Sequence, residues 1–162
     1  MDALRWRPMV PDDLGAVVAL ANGLFPDHYE APERFAERLR ASPAFCRVLA
    51  PESGPIRGYL VAYPWPLGRI PSLNRPLERV GDRDALYLHD LGLHPRAAGR
   101  GHARAAVADL VTRSEGAAIA LVAVSGSAPF WRALGFHDAP CPALADTLAG
   151  YGADARYLVR QA

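Results

Sequence analysis

The stretch Leu86–Ala103, LYLHDLGLHPRAAGRGHA, decides the fold of this chain. Its first half is an apolar strand, and Pro95 marks the turn that ends it. A loop with glycines at positions 99 and 101 follows, and a helix is expected over 104–112. A loop of this kind leaves backbone N–H groups unpaired at the positive end of a helix dipole. The stretch therefore predicts a binding site for an anionic group, most often a phosphate or pyrophosphate.

The composition indicates one globular domain over residues 1–162, in which 51% of the residues are hydrophobic and 22% are charged. The formal net charge of +1 gives no reason to expect nucleic acid or an acidic membrane as a partner. No apolar run is long enough to span a bilayer, and the first residues lack the apolar core of a signal peptide. We therefore expect a cytoplasmic protein.

Residue types exclude several catalytic chemistries. All 18 basic residues are arginine, which excludes a lysine Schiff base and the lysine of a nucleotide-binding P-loop. The two cysteines, Cys46 and Cys141, lie far apart, and no cluster of His, Asp or Glu has the spacing of metal ligands. We therefore predict no metal site.

Hydrophobic periodicity and turn residues predict the element order β-α-α-β-β-β-α-β-α-β. Helices are expected to begin near residues 10, 32, 104 and 128, and the expected strands are 4–9, 45–50, 56–63, 85–93, 117–124 and 156–159. Residues 64–84 form a long loop without periodicity, and such loops are usually functional or mobile. Because hairpins precede a β-α-β unit, we predict an α/β (α+β) fold: a mixed, mostly antiparallel sheet with helices on both faces.

Two segments together resemble a known family. Leu91–Pro95 followed by Ala98–Ala103 is similar to the acetyl-CoA signature of the GCN5-related N-acetyltransferases, and Ser127–Phe136 resembles that family's short helix ending in Leu-Gly-Phe. The order of elements is similar over nearly the whole chain. The resemblance implies the acyl-CoA N-acyltransferase fold, acetyl-CoA as the cofactor, and a small-molecule or peptide amine as the acceptor. It also admits a homodimer.

The resemblance assigns cofactor contacts to three segments. The end of the strand would pair with the pantetheine arm, the loop amides would hold the pyrophosphate, and the short helix would lie near the thiol. The side chains of Arg100 and Arg104 either bind phosphate or are solvated. The implied contact residues are Leu91, Gly92, Leu93, Ala98, Gly99, Arg100, Gly101, His102, Ala103, Ser127, Phe130 and Trp131.

The chain departs from the family pattern at two positions. Ala98 stands where the family usually has Arg or Gln, so the pyrophosphate contacts fall mainly to the backbone. Trp131 stands where the family often has a tyrosine that protonates the thiolate, and an indole N–H is not an acid at neutral pH. Either the substrate amine or a water would then supply that proton. Trp131 is also the main argument for the alternative function, a non-catalytic CoA-binding sensor or partner module.

Acetyl transfer to an amine needs a base, and His89 is the first candidate because imidazole exchanges its proton near neutral pH. Strand alternation places Tyr87, His89 and Leu91 on one face. It places Leu88 and Asp90 on the other. Tyr87 would orient a water, and the N–H of Leu91 would polarise the thioester carbonyl. The alternative is that His89 is a hydrogen-bonded structural residue, and Asp90 is expected to be structural.

The acceptor site is expected between the first two helices and the loop 64–84. Aromatic candidates for its wall are Phe25, His28, Tyr29, Tyr63 and Trp65, and acidic candidates to attract a cationic amine are Glu30, Glu33 and Glu78. None of these features identifies one acceptor.

Overall fold

The computed structural model describes residues 3–78 and 80–161. Its seven strands are β1 (Arg5–Pro8), β2 (Cys46–Ala50), β3 (Gly58–Trp65), β4 (Ala85–Leu93), β5 (Ala118–Ala123), β6 (His137–Asp138) and β7 (Arg156–Arg160). Its five α-helices are α1 (Leu14–Leu24), α2 (Pro32–Ala41), α3 (His102–Arg113), α4 (Ala128–Ala133) and α5 (Ala145–Ala149).

The strands form one sheet in the order β1-β2-β3-β4-β5-β7-β6. All neighbours are antiparallel except β4 and β5, which run parallel and are joined through α3. Val17 of α1 and Phe35 of α2 are buried in a core on one face of the sheet. Val107 of α3 and Trp131 of α4 are buried in a second core on the other face. The predicted fold class is thus confirmed.

A β-bulge interrupts the pairing of β4 with β3. Val61 pairs with Asp90, whereas the next residue, Ala62, pairs with Leu88, so His89 is the additional residue on β4. A bulge places two successive residues of one strand opposite a single residue of its partner, which resets the alternation of side chains beyond it.

The prediction of which β4 side chains share a face is therefore wrong beyond the bulge. His89 and Asp90 point to the same face, where their ligand atoms lie within 4.8 Å of each other and of Glu30. Leu91, expected beside Tyr87 and His89, packs instead against the core beneath α3. Strict alternation with a period of two cannot accommodate the additional residue.

The sheet opens between β4 and β5. Their ladder runs only from Ala85–Ala118 to Tyr87–Ala120. Beyond Tyr87, β4 continues along β3 to Leu93, while β5 continues along β7. The backbone edge of 88–93 that faces β5 consequently has no strand partner among the described residues.

The boundaries differ from the predictions mainly in the last third of the chain. β6 and α5 were not predicted, since β6 has two residues and α5 five, too few for a periodic pattern. α3 begins at His102, two residues before the predicted start. Within the described ranges, no helix has the length and apolar character needed to cross a membrane.

Candidate functional site

A cavity of about 270 Å³ lies where β4 and β5 part. Its floor is formed by the bulge of β4, one side by α4, and the opposite side by the end of α1 and the long loop before β4. The lining residues are Phe25, His28, Glu30, Leu73, Tyr87, Leu88, His89, Asp90, Leu91, Leu93, Ala103, Leu121, Val122, Val124, Ser125, Ser127, Phe130, Trp131 and Tyr151.

The N-terminus of α3 adjoins the cavity through Ala103. The first intrahelical hydrogen bond of α3 runs from Ala105 N–H to Gly101 C=O at 3.0 Å, so the preceding amides of the first turn have no intrahelical acceptor. Gly99 and Gly101 have φ values of +75° and +84°, which favour glycine, and no atom lies within 4 Å of where a Cβ would stand on either residue. The loop is therefore an open cradle of amide groups.

A hydrogen bond from Trp6 connects this cradle to β1, the edge strand of the sheet. The indole N–H of Trp6, on β1, donates a hydrogen bond to the C=O of His102 at 2.9 Å. The bond joins positions 96 residues apart in the chain and holds the first residue of α3. The sequence carries no local signal for this contact.

The predicted base, His89, lies in a hydrogen-bonded network at the cavity floor. Its Nε2 lies 2.6 Å from Oε1 of Glu30, and its Nδ1 lies 2.9 Å from the hydroxyl of Tyr63. A carboxylate only accepts, so Nε2 carries the proton and Nδ1 accepts from Tyr63. The side chain of His89 is 4% exposed.

Glu30 connects this histidine to two other parts of the chain. Both terminal nitrogens of Arg38 bind its carboxylate, and both side chains of this ion pair are buried. The N–H of Asn74, in the long loop, donates to Oε2 of Glu30 at 2.9 Å, and the Asn74 side chain accepts from the N–H of Ala31 at 2.8 Å. Glu30 thus holds α2, the long loop and β4 together.

The two acids at the cavity floor have opposite pKa shifts. Burial acts to raise the pKa of Glu30, but hydrogen bonds and charges from His89 and Arg38 outweigh it and hold the pKa well below the ordinary 4.5. Burial raises the pKa of Asp90, and the charge of Glu30 adds to this effect. The charges of His89 and Arg38 and the hydroxyl of Tyr59 lower the pKa of Asp90 only in part.

The predicted helper, Tyr87, lines the cavity but is buried. Its ring packs edge-on against that of His89, with centroids 6.0 Å apart. Burial raises the pKa of Tyr87 well above its ordinary value, so the phenol stays protonated at neutral pH.

The cofactor residues expected from the resemblance fall into two groups. Six of them line the cavity: Leu91, Leu93, Ala103, Ser127, Phe130 and Trp131. The others are Gly92 of β4, Ala98 just before the cradle, and four residues of the cradle itself: Gly99, Arg100, Gly101 and His102. Gly92 contributes through packing, because a Cβ there would lie 2.6 Å from the Tyr59 ring and 2.9 Å from Leu24. Trp131 packs edge-on against Phe130 and Phe136, with centroids 5.0 and 5.5 Å away.

Only some of the residues predicted for the acceptor wall line the cavity. Phe25, His28 and Glu30 line the cavity, whereas Tyr63 and Trp65 are buried beneath it and Tyr29 is 54% exposed. Glu33 is exposed, and Glu78 pairs with Arg69 on the surface.

Tyr151 is a wall residue that the sequence did not reveal. Its ring stacks on His28 with centroids 5.7 Å apart, and its hydroxyl donates to Pro71 C=O at 3.3 Å. His28 Nε2 lies 3.1 Å from Tyr151 C=O. Its position 123 residues beyond His28 explains why no local pattern exposed it.

Glu30, His89 and Asp90 also have the proximity of metal ligands. Arg38 already occupies both oxygens of Glu30, so a cation bound there would have to displace a guanidinium. The absence of a metal site stays a prediction.

The whole sequence between α1 and the end of α4 matches one family. The model of the Acetyltransferase (GNAT) family matches residues 14–136. The chain belongs to this family. It is an acetyl-CoA-dependent N-acetyltransferase, and the open cradle of amides at 99–103 fits the phosphates of that cofactor.

Solved structures share this GNAT fold. Ard1 from Thermoplasma volcanium is 15% identical with a TM-score of 0.74, and the match covers 98% of this chain and 97% of that one. Naa50 of Arabidopsis thaliana, in complex with the bisubstrate analogue CoA-Ac-MVNAL, is 14% identical with a TM-score of 0.67, covering 96% of each chain.

N-acetylglutamate synthase from Neisseria gonorrhoeae, complexed with coenzyme A and N-acetyl-glutamate, is 14% identical with a TM-score of 0.71. That match covers 99% of this chain and 35% of the synthase. By sequence, the chain matches no curated protein. These GNAT neighbours therefore establish the fold, and the acceptor must be inferred from this chain's own cavity.

Proposed function

We propose that this protein transfers the acetyl group of acetyl-CoA directly to the primary amine of a small molecule or peptide, with His89 accepting the amine proton. The observation that carries the proposal is the position of His89 on the bulge of β4, at the cavity floor, with Oε1 of Glu30 2.6 Å from its Nε2. Bound acetyl-CoA supplies the acetyl group as an activated thioester, and the products are an acetamide and the free thiol.

The cofactor would be held mainly by backbone. The amides at the N-terminus of α3 face the phosphates and place the positive end of the helix beside them. The unpaired edge of Leu91–Leu93 is available to the pantetheine arm, and the Leu91 N–H is the candidate to polarise the carbonyl. Ser127, Phe130 and Trp131 would flank the arm on the side of α4 and exclude water.

The proton would be taken up at Nδ1 of His89. Nε2 already donates to Glu30, and the Nδ1 lone pair accepts from Tyr63, so proton uptake requires that the Tyr63 hydroxyl leave Nδ1 or pass its own proton to Nδ1 while taking up another. The carboxylate of Glu30 then stabilises the imidazolium, as a triad acid does. Tyr87, whose ring is edge-on to that of His89, would orient a water between amine and imidazole.

The substitution His89→Ala tests this assignment. We expect kcat to fall about 100-fold or more, because general-base catalysis contributes that much, while the affinity for CoA stays unchanged. The pH–rate profile should lose its ascending limb. His137→Ala is the matched control, since His137 is exposed on β6 and should leave the rate unchanged. A His89→Ala enzyme with the parent's rate and pH profile would exclude His89 as the base.

Thiol release from acetyl-CoA, measured against amines and N-terminal peptides, tests the reaction itself. Release with an acceptor is expected. Thermal stabilisation by CoA without release on any acceptor would favour the alternative, a non-catalytic CoA-binding module.

The proposal also extends to partners and location. We expect no nucleic-acid or membrane partner and a cytoplasmic enzyme, consistent with the net charge of +1. A homodimer stays a prediction that light scattering would check.

A further inference from the structure

Asp90 is the one charged group at the cavity floor that the proposed mechanism does not use. The bulge brings its carboxylate to the face of His89, where it lines the cavity. It forms no ion pair within the described part of the chain, whereas Glu30 beside it has Arg38. Burial raises the pKa of Asp90, which means that its charged form is compensated only in part there. A cation bound in the cavity would complete that compensation.

Within the described residues, the cavity lining offers no strongly cationic partner for a carboxylate. Among the described residues no arginine lines it, although arginine supplies all of the chain's 18 basic residues. Arg38 lies behind Glu30 with both terminal nitrogens bound to that carboxylate. An acceptor that carried its own carboxylate would therefore be placed, unpaired, beside Glu30 and Asp90.

The walls on the acceptor side are aromatic or aliphatic, and hydrogen bonds and ring stacking connect them. They consist of Phe25, His28, Leu73 and Tyr151. The Tyr151 hydroxyl donates a hydrogen bond to Pro71 in the long loop, and the Tyr151 ring stacks on His28. The N–H of Asn74, in the same loop, donates a hydrogen bond to Glu30. Three segments distant in sequence thus line this half of the cavity, and its total volume of about 270 Å³ suits a compact apolar body better than an extended chain.

We propose that the acceptor is a small primary amine with an apolar body and no carboxylate, whose ammonium group is bound by Asp90. This inference rests on the proposed function and names the substrate class of the same site. Asp90 binds the cation, and His89, on the same face, takes the proton once the amine is in place.

Three acceptors of nearly one size test the proposal in the thiol-release assay: 2-phenylethylamine, phenylalaninamide and phenylalanine. The first two should exceed phenylalanine in kcat/KM by about tenfold or more, because only phenylalanine places a carboxylate in an acidic cavity. A tripeptide amide beginning with Phe should be a poorer acceptor than phenylalaninamide. Hexylamine and norleucine repeat the comparison with an aliphatic body.

The variant Asp90→Asn gives a second, independent readout. We expect KM for 2-phenylethylamine to rise about tenfold with little change in kcat or in CoA affinity, since the carboxamide keeps the shape but loses the charge. Asp138→Asn is the control, because Asp138 is an exposed carboxylate on β6. A purely structural Asp90 would instead leave KM unchanged and lower the thermal stability of Asp90→Asn, which would overturn the assignment.

The remaining outcomes are also decisive. Phenylalanine turned over as well as its amide would overturn the substrate class while leaving the proposed acetyl transfer intact. A peptide faster than phenylalaninamide would overturn the small acceptor. No thiol release with any acceptor, despite stabilisation by CoA, would end the proposed function and this inference together.

Discussion

The two ends of the cavity are built in different ways. The cofactor end is built mainly of backbone from one contiguous stretch, 91–103, in which glycines with positive φ and a helix N-terminus form the cradle. The acceptor end consists of side chains from the connection between α1 and α2, the long loop, β4 and Tyr151, two residues after α5. A contiguous backbone site depends on local conformation, whereas an assembled side-chain site depends on the packing of the whole fold. Substitutions at the acceptor end should therefore mainly reduce stability, whereas substitutions at the cofactor end should mainly reduce CoA affinity.

The largest effect on stability is expected at the acceptor end, from Arg38→Met. The substitution leaves the carboxylate of Glu30 buried without its main partner, which should lower the free energy of unfolding by about 3–5 kcal/mol. Denaturant unfolding would measure the loss. Arg7→Met is the matched control, since Arg7 makes a similar two-pronged pair with Asp13 but is 43% exposed, and should cost about 1 kcal/mol or less. Equal losses would mean that burial of the Glu30 pair does not matter.

At the cofactor end, Gly101→Trp should act on binding more than on folding. A side chain there projects into the open cradle, so CoA affinity should fall by about 2–3 kcal/mol, or roughly 30- to 150-fold. Calorimetry would measure it. Gly116→Trp is the control, because Gly116 has φ +88° and equally open surroundings but lies beyond the other end of α3. Both variants should share a strain of about 1 kcal/mol. CoA affinity reduced equally in both would exclude the loop as the phosphate site.

The same division explains what the sequence could predict. The glycine loop, the helix after it and the buried strand β5 are local patterns, and the family signature covers the same residues, so the fold and the cradle were predictable. The His89 position was found from alternation, but the faces of Asp90 and Leu91 were not, because the bulge that sets them depends on pairing with β3. Contacts such as Tyr151 with His28 leave no signal in a single sequence.

The two acids at the acceptor end, Glu30 and Asp90, predict opposite dependences of stability on pH. The pKa of Glu30 is lowered in the fold, so the stability its carboxylate contributes is complete above its unfolded value of 4.5 and is lost as the pH falls below it. Glu30→Gln should therefore lose about 2 kcal/mol less stability than the parent as the pH falls.

The pKa of Asp90 is raised above its unfolded 3.8, so its contribution to stability falls as the pH rises through that value. Asp90→Asn should remove this fall and increase stability at pH 7 relative to the parent. Unfolding free energies from pH 3 to pH 7 would measure both slopes. A loss of stability at pH 7 in Asp90→Asn would contradict the assignment of Asp90 as an acid compensated only in part.

The smallest effect tests a long-range contact of the cofactor end, the hydrogen bond from Trp6 to His102. Trp6→Phe removes the indole donor at the start of α3 and should cost about 1 kcal/mol, since the C=O of His102 keeps its helical partner. The affinity for CoA should fall a few-fold because the first turn of α3 is less well held. Trp65→Phe is the control: within the described residues its indole N–H has no acceptor, so it should lose packing stability without any change in CoA affinity. If Trp6→Phe leaves CoA affinity unchanged, the cradle is held by its own stretch of backbone alone, and the contrast between the two ends is complete.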